Sequence, residues 1–292
     1  MASGTLWAVD PSLTTVSPTG IQRGTEAELT FSGRRLADTV EVVLYDKGVT
    51  VQKIVKADDK SVVVMVKVSP GCELGEQKVR LRSKTGLSDL RTFYVGPFKQ
   101  VEEAEKKSEN NERATAEPLA KNVTLLGRIS TEDVDHYVFE AKKGENISAE
   151  IEAIRLARSF FDPYMAILDK DGKILKRNDD NPLLIQDSFL TLIAPYDGKY
   201  FVQIRETSFL GRNDLYRLHF GNFPRPHAVY PPGGPAGQSV DVKFIGDAGG
   251  DIKQSVLLPE VYNPKMNQGI YAERRGLISP SANPVRVGKL PN

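Results

Sequence analysis

Between Glu26 and Val95 apolar residues recur at every second position in short runs: ELTF, VEVVLY, VTVQKIV, SVVVMVKV, QKVRLRS and RTFYV. A period of two is the pleat of a β-strand, and the β-branched content of these runs favours the same conformation. Turn signals at SGRR, YDKG, KADDK, SPGCELG and SKTG separate them at the spacing of a sandwich. Strand patterning resumes in VTLLGRI, HYVFEA, NISAEIEAIRLA, YMAILD, KILKR, SFLTLIA, KYFVQIRE and LYRLHFG, with no amphipathic helix of useful length between them. The expected fold class is all-β, as tandem β-sandwiches.

A chain of 292 residues suits two or three such domains. Residues 1–98 read as a first sandwich. Residues 99–116 read as a charged linker, because QVEEAEKKSENNERATAE carries no apolar stripe. Residues 117–221 read as a second sandwich. Residues 222–292 read as a partial or atypical third β unit that echoes the beginning: SPTGIQRGTEAELTFSG near the start is matched by YPPGGPAGQSVDVKFIG. Both hold Pro, a short turn, then Gly and an alternating strand ending in Gly (Gly24 to Gly33, Gly237 to Gly246), as a repeated domain would. The pattern fades after Asp251, and the chain is expected to end inside a longer architecture.

Charge and cysteine content exclude several function classes. The 39 basic and 38 acidic side chains nearly cancel, so no global field draws nucleic acid or an anionic membrane. Cys72 is the only cysteine, which excludes an intrachain disulfide and multi-cysteine metal sites. The opening MASGTLWAVD lacks the pattern of a signal peptide, and no apolar run is long enough to span a bilayer. The chain is therefore expected to be soluble, with any export leader already removed.

The run DVDHYVFEAKKGENISAEIEAIRLARSFFDPYMAILDKDGKILKRNDD, followed by QDSFLTLIAPYDGKYFVQIRETSFLGRNDLYRLHF, resembles the bacterial pre-peptidase C-terminal domain. The Asp-x-Asp-x-Tyr-x-Phe opening, the Lys-Gly turn, the Ser-x-x-Asp-Pro step, the Asp-Gly hairpin, Asn-Asp-Asp and Ala-Pro-x-Asp-Gly-x-Tyr all appear in order. The first unit resembles an immunoglobulin-like domain of the IPT/TIG type, through its Pro-x-Gly-x-x-x-Gly opening and GEQKVRLRSKTGLSDLRTFYVG as closing hairpin. The alternation of the two types resembles large secreted bacterial surface proteins and the accessory regions of exported proteases. The resemblance implies a jelly-roll-like second sandwich and a non-catalytic module, secreted, cell-surface or periplasmic, that binds an extracellular polysaccharide or protein or spaces other domains. It also leaves open an accessory region of an exported hydrolase whose catalytic domain lies elsewhere, and a calcium-stabilised adhesion module. Family likeness gives fold more readily than function, so the residues are weighed on their own chemistry.

DKDG could open a calcium loop, but an EF-hand needs oxygen ligands at its first and third positions and Glu at its twelfth. With Asp169 and Asp171 third and fifth, the first is Ile167 and the twelfth Asn178; the alternating flanks YMAIL and KIL favour an Asp-Gly hairpin. Asn178, Asp179, Asp180 and Asp187 gather carboxylates near one loop, which suits either a hard cation or turn capping. In collagenase modules of the resembled family, a Glu-x-Glu-x-Asn run in the linker joins two acids before the Tyr-x-Phe strand to hold calcium. Carried over, the second half falls on Glu132, Asp133 and Asp135. Setting Asn110 and Asn111 on the paired Asn places Lys106 and Ser108 where the two Glu belong; a gap would substitute Glu103 and Glu105. The calcium candidates are thus Asn110, Glu132, Asp133, Asp135, Asp179, Asp180 and Asp187, with no cofactor expected to be required.

Enzyme readings find less support. GDAGG at Gly246 to Gly250 has Ala248 where a trypsin-like nucleophile would stand. His136, His219 and His227 have no metal-ligand spacing, and no phosphate loop or dinucleotide fingerprint appears. The short ERR run, Glu273 to Arg275, gives nucleic-acid binding no specific basis. Tyr137, Tyr164, Tyr196, Tyr200 and Tyr216 could form a ligand platform, but the family pattern places Tyr137, Phe139, Tyr200 and Tyr216 inside.

Overall fold

The computed structural model describes residues 9–104, 110–260 and 268–288. The chain divides into two compact units, Met1–Lys99 and Gln100–Asn292. Both are built of β-sheets packed as sandwiches.

In the first unit one sheet orders the strands Ser12–Ser17, Glu26–Arg34, Ser61–Val68 and Val49–Ala57, and the other orders Gly20–Gln22, Arg91–Gly96, Gly75–Ser83 and Thr39–Leu44. The run SVVVMVKV shows why a wholly apolar stretch still behaves as a strand with two faces. Val62, Val64, Val66 and Val68 are buried, while Val63 and Met65 are only half-buried. Leu29, Phe31, Leu81 and Phe93 are likewise fully buried.

The second unit opens with a sandwich of two five-stranded sheets. One orders Glu117–Pro118, Val134–Ala141, Gly198–Glu206, Pro163–Leu168 and Ile174–Asn178; the other orders Phe189–Ile193, Asn146–Glu152, Leu210–Gly221, Val123–Thr131 and Lys99–Glu102. Their facing sides bring together Tyr137, Phe139, Ile151, Met165, Ile167, Val202, Leu218 and Phe220. Part of the stretch expected to be a linker is therefore sheet: Lys99–Glu102 forms an edge strand, and the Glu103 amide donates to the Leu126 carbonyl at 3.0 Å. Four residues are too few for a period of two to register in the sequence.

DKDG is a hairpin turn. The strands Pro163–Leu168 and Ile174–Asn178 pair antiparallel across it, and Asp169 Oδ1 accepts from the Asp171 and Lys173 amides at 2.9 and 2.8 Å. Gly172 supplies the positive φ of +88° that the turn requires.

From Ala228 onward the structure repeats the beginning. Ala228–Tyr230 pairs antiparallel with Ser239–Ile245, as Ser12–Ser17 does with Glu26–Arg34. Gly233–Pro235 pairs parallel with the last described strand, Asn283–Gly288, as Gly20–Gln22 does with Arg91–Gly96. The segment after Asp251, patternless in sequence, supplies Ile252–Leu257, Gln268–Ile270, Glu273–Arg274, Leu277–Ile278 and Asn283–Gly288. These strands enclose a small apolar core of Val242, Phe244, Ile252, Leu258, Ile270, Ala272, Val285 and Val287.

Candidate functional site

Strand Asn146–Glu152 turns Ile147, Ala149 and Ile151 into the sandwich core, so Ser148, Glu150 and Glu152 stand on the opposite face. Alternation predicts that this face meets water. Instead all three are buried, because the segment following Gly221 covers much of it: Ser148 Oγ donates to the Phe223 carbonyl at 2.7 Å, and Ala248 N donates to Thr191 Oγ1 at 3.3 Å.

Each buried charge on this face finds an opposite one. Glu150 accepts from Arg225 Nε, from Ser281 Oγ and, at 3.1 Å, from Arg155 Nη2. Arg155 continues to Asp187 Oδ2 at 2.5 Å and to Ser281 Oγ at 2.9 Å. Arg217 Nη1 donates to Glu152, with His219 Nε2 3.4 Å from the same carboxylate and His219 Nδ1 2.9 Å from Thr124 Oγ1. Burial works to raise the Glu150 carboxyl, yet Arg225, then Arg155, with His219 and Ser281 behind them, hold its pKa below the ordinary value. Glu152 is held down in the same way, chiefly by Arg217 and then His219 acting against burial.

The GDAGG turn belongs to the same junction. Asp247 Oδ2 accepts from the Arg225 amide at 2.6 Å, and Oδ1 accepts from Gly249 N at 2.8 Å and Arg274 Nη1 at 2.5 Å. This acid orients backbone and guanidinium groups. His227 packs its ring on Phe189, centroids 4.5 Å apart, and Arg225 lies 4.3 Å over the same Phe189 ring.

The calcium candidates are distributed over different environments. Asp187 accepts from the Ala153 and Ile154 amides, both at 2.9 Å, in addition to Arg155. Asp179 and Asp180 are exposed, and Asp179 Oδ1 accepts from Asp180 N at 3.1 Å. Burial, then Asp180, Glu206, Asp179 and Asp187, raise the pKa of neighbouring Asp162. Glu132 is exposed in a turn with φ +60°.

Asp133 and Asp135, by contrast, are buried together with Asn110. The segment at Asn110 and Asn111 runs beside them: His136 N donates to the Asn110 carbonyl at 3.0 Å and Val134 N to Asn111 Oδ1 at 3.2 Å. Asp133 Oδ2 accepts from Ser130 N at 2.9 Å, while its Oδ1 and the side-chain amide of Asn110 have no hydrogen-bond partner among the described residues. Tyr216 donates to Asp135 Oδ2, Tyr137 and Tyr216 hydroxyls lie 2.5 Å apart, and Tyr137 donates to Glu103 Oε2 at 3.0 Å. Burial first, then Asp135, pushes the Tyr216 hydroxyl well above its usual pKa, so it remains a donor. Glu105, Lys106 and Ser108 lie outside the described residues.

Calcium takes six to eight oxygens. Among the described residues no group of three or more His, Cys, Asp and Glu converges to hold a metal. Asn110 and Asp133 nonetheless keep buried side-chain oxygens without a hydrogen-bond partner among the described residues, and the Tyr216 and Tyr137 hydroxyls link Asp135 to Glu103. The other tyrosines are occupied: Tyr200 is buried and stacked on Tyr196 at 4.9 Å, and Tyr164 packs under Arg205 at 4.1 Å. His136 is buried, its pKa lowered mainly by burial, with Nε2 2.9 Å from Gln203 Nε2.

Sequence reasoning reached Glu103 only by allowing a gap, and it missed Glu150, Arg155 and Arg225. The available signal was a row of charges, Glu150, Glu152 and Arg217, in strands otherwise rich in apolar residues.

Comparison with known proteins adds three kinds of finding. The family model described as quinohemoprotein amine dehydrogenase, alpha subunit domain III, matches residues 10–93, the body of the first unit. A probable subtilase-type serine protease of Deinococcus radiodurans is 32% identical over 108 residues, which are 36% of this chain and only 15% of the relative's length. Among solved structures, the pre-peptidase C-terminal domain of a Bacillus anthracis collagenase is 16% identical and is covered over 99% of its length by 38% of this chain, with a TM-score of 0.30. Aeromonas hydrophila PliG, a periplasmic inhibitor of g-type lysozyme, is 18% identical over 36% of this chain and 94% of its own, also at a TM-score of 0.30. A Bacteroides ovatus SGBP-B, solved with a mixed-linkage heptasaccharide, is 11% identical over 72% of this chain and 74% of its own at 0.27. Scores of this size carry no inference. What the chain resembles in sequence is a portion of a protease-like protein and, separately, one domain of a dehydrogenase subunit.

Proposed function

We propose that this chain is a non-catalytic binding or accessory part of an exported multidomain protein. The observation that carries the reading is the engagement of the buried acids at the sandwich junction. Glu150, Glu152 and Asp187 are each bonded to a guanidinium, and Asp247 to a guanidinium and two backbone amides. Carboxylates held this way fix an architecture and leave no free general base at that place. The limited match to a subtilase-type protease supports a role beside a catalytic domain rather than as one. The IPT/TIG type for the first unit, the pre-peptidase C-terminal type for the second and the export of the whole belong to the same proposal. The test is turnover by the purified chain on casein, chromogenic peptides and a glycan panel, alongside co-sedimentation with insoluble polysaccharides and matrix proteins. Retention on a polymer without turnover is expected; turnover that copurifies with the chain through successive columns sinks the reading.

A second reading has its own observation. The unpartnered oxygens of Asn110 and Asp133 favour a calcium ion that stabilises the second unit. A ligand that binds only the folded state raises the unfolding temperature by mass action. Melting in calcium against chelator should show a rise that Asp133→Asn abolishes. An unchanged melt assigns these acids to turn chemistry alone.

A further inference from the structure

Resting on the binding reading above, we propose that the outer face of the sheet formed by Ala228–Tyr230, Ser239–Ile245 and Ile252–Leu257 binds an anionic polysaccharide bearing uronate carboxylates. Val242, Phe244 and Ile252 fill the core beneath, so alternation turns Asp241, Lys243, Lys253 and Ser255 to the other face. The register aligns them. Tyr230 stands opposite Lys243, Lys243 opposite Lys253, and Asp241 opposite Ser255.

Two features of this row are unexpected for an inert surface. Like charges directly opposite each other across a strand pair are destabilising, yet Lys243 faces Lys253. Asp251 neutralises Lys243 at 2.6 Å, while Lys253 has no ion-pair partner among the described residues. At the end of the row Tyr230 leaves 67% of its surface exposed, beside Pro231. Tyr230, Pro231, Asp241, Lys243, Lys253 and Ser255 border a surface hollow of about 500 Å³.

The chemistry of the row selects its occupant. The C–H face of a pyranose is apolar and packs against an exposed aromatic ring, which Tyr230 offers. Lys253, about 10 Å away across two strand spacings, meets a carboxylate. Asp241 and Ser255, about 7 Å along the strands, accept and donate hydrogen bonds to hydroxyls. A neutral glycan would leave Lys253 unused, and an acidic peptide would leave Tyr230 without a saccharide face to stack on.

Electrophoresis of the full chain through gels containing polygalacturonate, dextran or polyglutamate tests this directly. Polygalacturonate should retard the chain and dextran should not, with the retardation weakening as salt screens the lysine. Lys253→Glu and Tyr230→Ala, both on the exposed face, should each weaken retention about tenfold while the melting temperature holds. Retardation that both variants retain overturns this site but leaves the broader binding reading intact. Equal retardation by polyglutamate, insensitive to Tyr230→Ala, overturns the saccharide assignment. Absence of retardation by polygalacturonate overturns the proposal, and the wider polymer and protein panel then decides the broader reading independently.

Discussion

The two units keep different interiors. Among the described residues of the first, the buried polar side chains are Thr19, Gln77, Ser83 and Ser88, all uncharged, and its ion pairs such as Lys56–Asp58 and Arg82–Glu41 lie at the surface. The second buries Glu150, Glu152, Asp187, Arg217, Arg225 and Asp247. The difference follows from what each must cover. The first closes two sheets over one apolar core, and the outward positions of strands such as Val49–Ala57 and Ser61–Val68 stay exposed or half-buried. The second covers an outer sheet face already patterned for water, and a charge removed from water must meet an opposite charge or hydrogen-bonding groups.

The largest expected effect comes from breaking one of those pairs. Arg225→Met leaves Glu150 buried with only Arg155 and Ser281, and should destabilise the second unit by about 3–5 kcal/mol. Chemical denaturation followed by proteolysis of each unit should show the loss there, with the first unit unchanged. Equal losses in both would mean that the interiors do not act separately. Replacing both partners, with Glu150→Leu added to Arg225→Met, should recover much of the loss, since a buried pair and an apolar substitute are often near in energy.

Acid should separate the units less sharply. Glu150 and Glu152 have folded pKa values below those of the unfolded chain, so their stabilisation is present above the unfolded value of about 4.3 and is lost as pH falls through the folded values. Asp187, raised by burial against Arg155, acts in the opposite sense, so the two glutamates set the direction: melting temperatures between neutral pH and pH 3 should fall faster for the second unit. In the first unit Asp58 is also depressed, to about 2, by Lys56 and then the Lys60 amide, but it is exposed to solvent and contributes little. A parallel decline of both units would remove the distinction.

The smallest effect belongs to the first unit's surface. Arg82 and Glu41 pair at 2.6 Å with about half of each side chain exposed, 51% and 50%. Arg82→Ala should cost less than about 1 kcal/mol by denaturant unfolding. A larger loss would show that surface pairs carry more of the first unit than its apolar core suggests.

Strand content was legible because a period of two marks its own faces: SVVVMVKV buries alternate valines, and DKDG turns between two strands. The echo between Gly24–Gly33 and Gly237–Gly246 likewise announced a repeated strand arrangement. What alternation cannot state is what covers the second face. Glu150 reads as a solvent residue until Arg225 and Ser281 arrive from 75 and 131 residues later in the chain. The acids near Asn178 were legible as neighbours in sequence, but Asp187 turns inward to Arg155 while Asp179 and Asp180 face water. Tyr230 and Lys253 escaped notice because only strand register, through Lys243 between them, sets them in one row.

That long separation has a consequence during synthesis. A ribosome completes the strand Asn146–Glu152 well before it reaches Arg225 or Ser281. The sheet around that strand needs Leu210–Gly221, so the interval that matters is the one before Ser281; a face still bearing uncovered Ser148, Glu150 and Glu152 would be hydrated then, and charges on an open face resist sticking to neighbours. An apolar junction of the same extent would be exposed for the same interval with no such protection. The ionic junction thus lets an unfinished chain wait in water for its last strands.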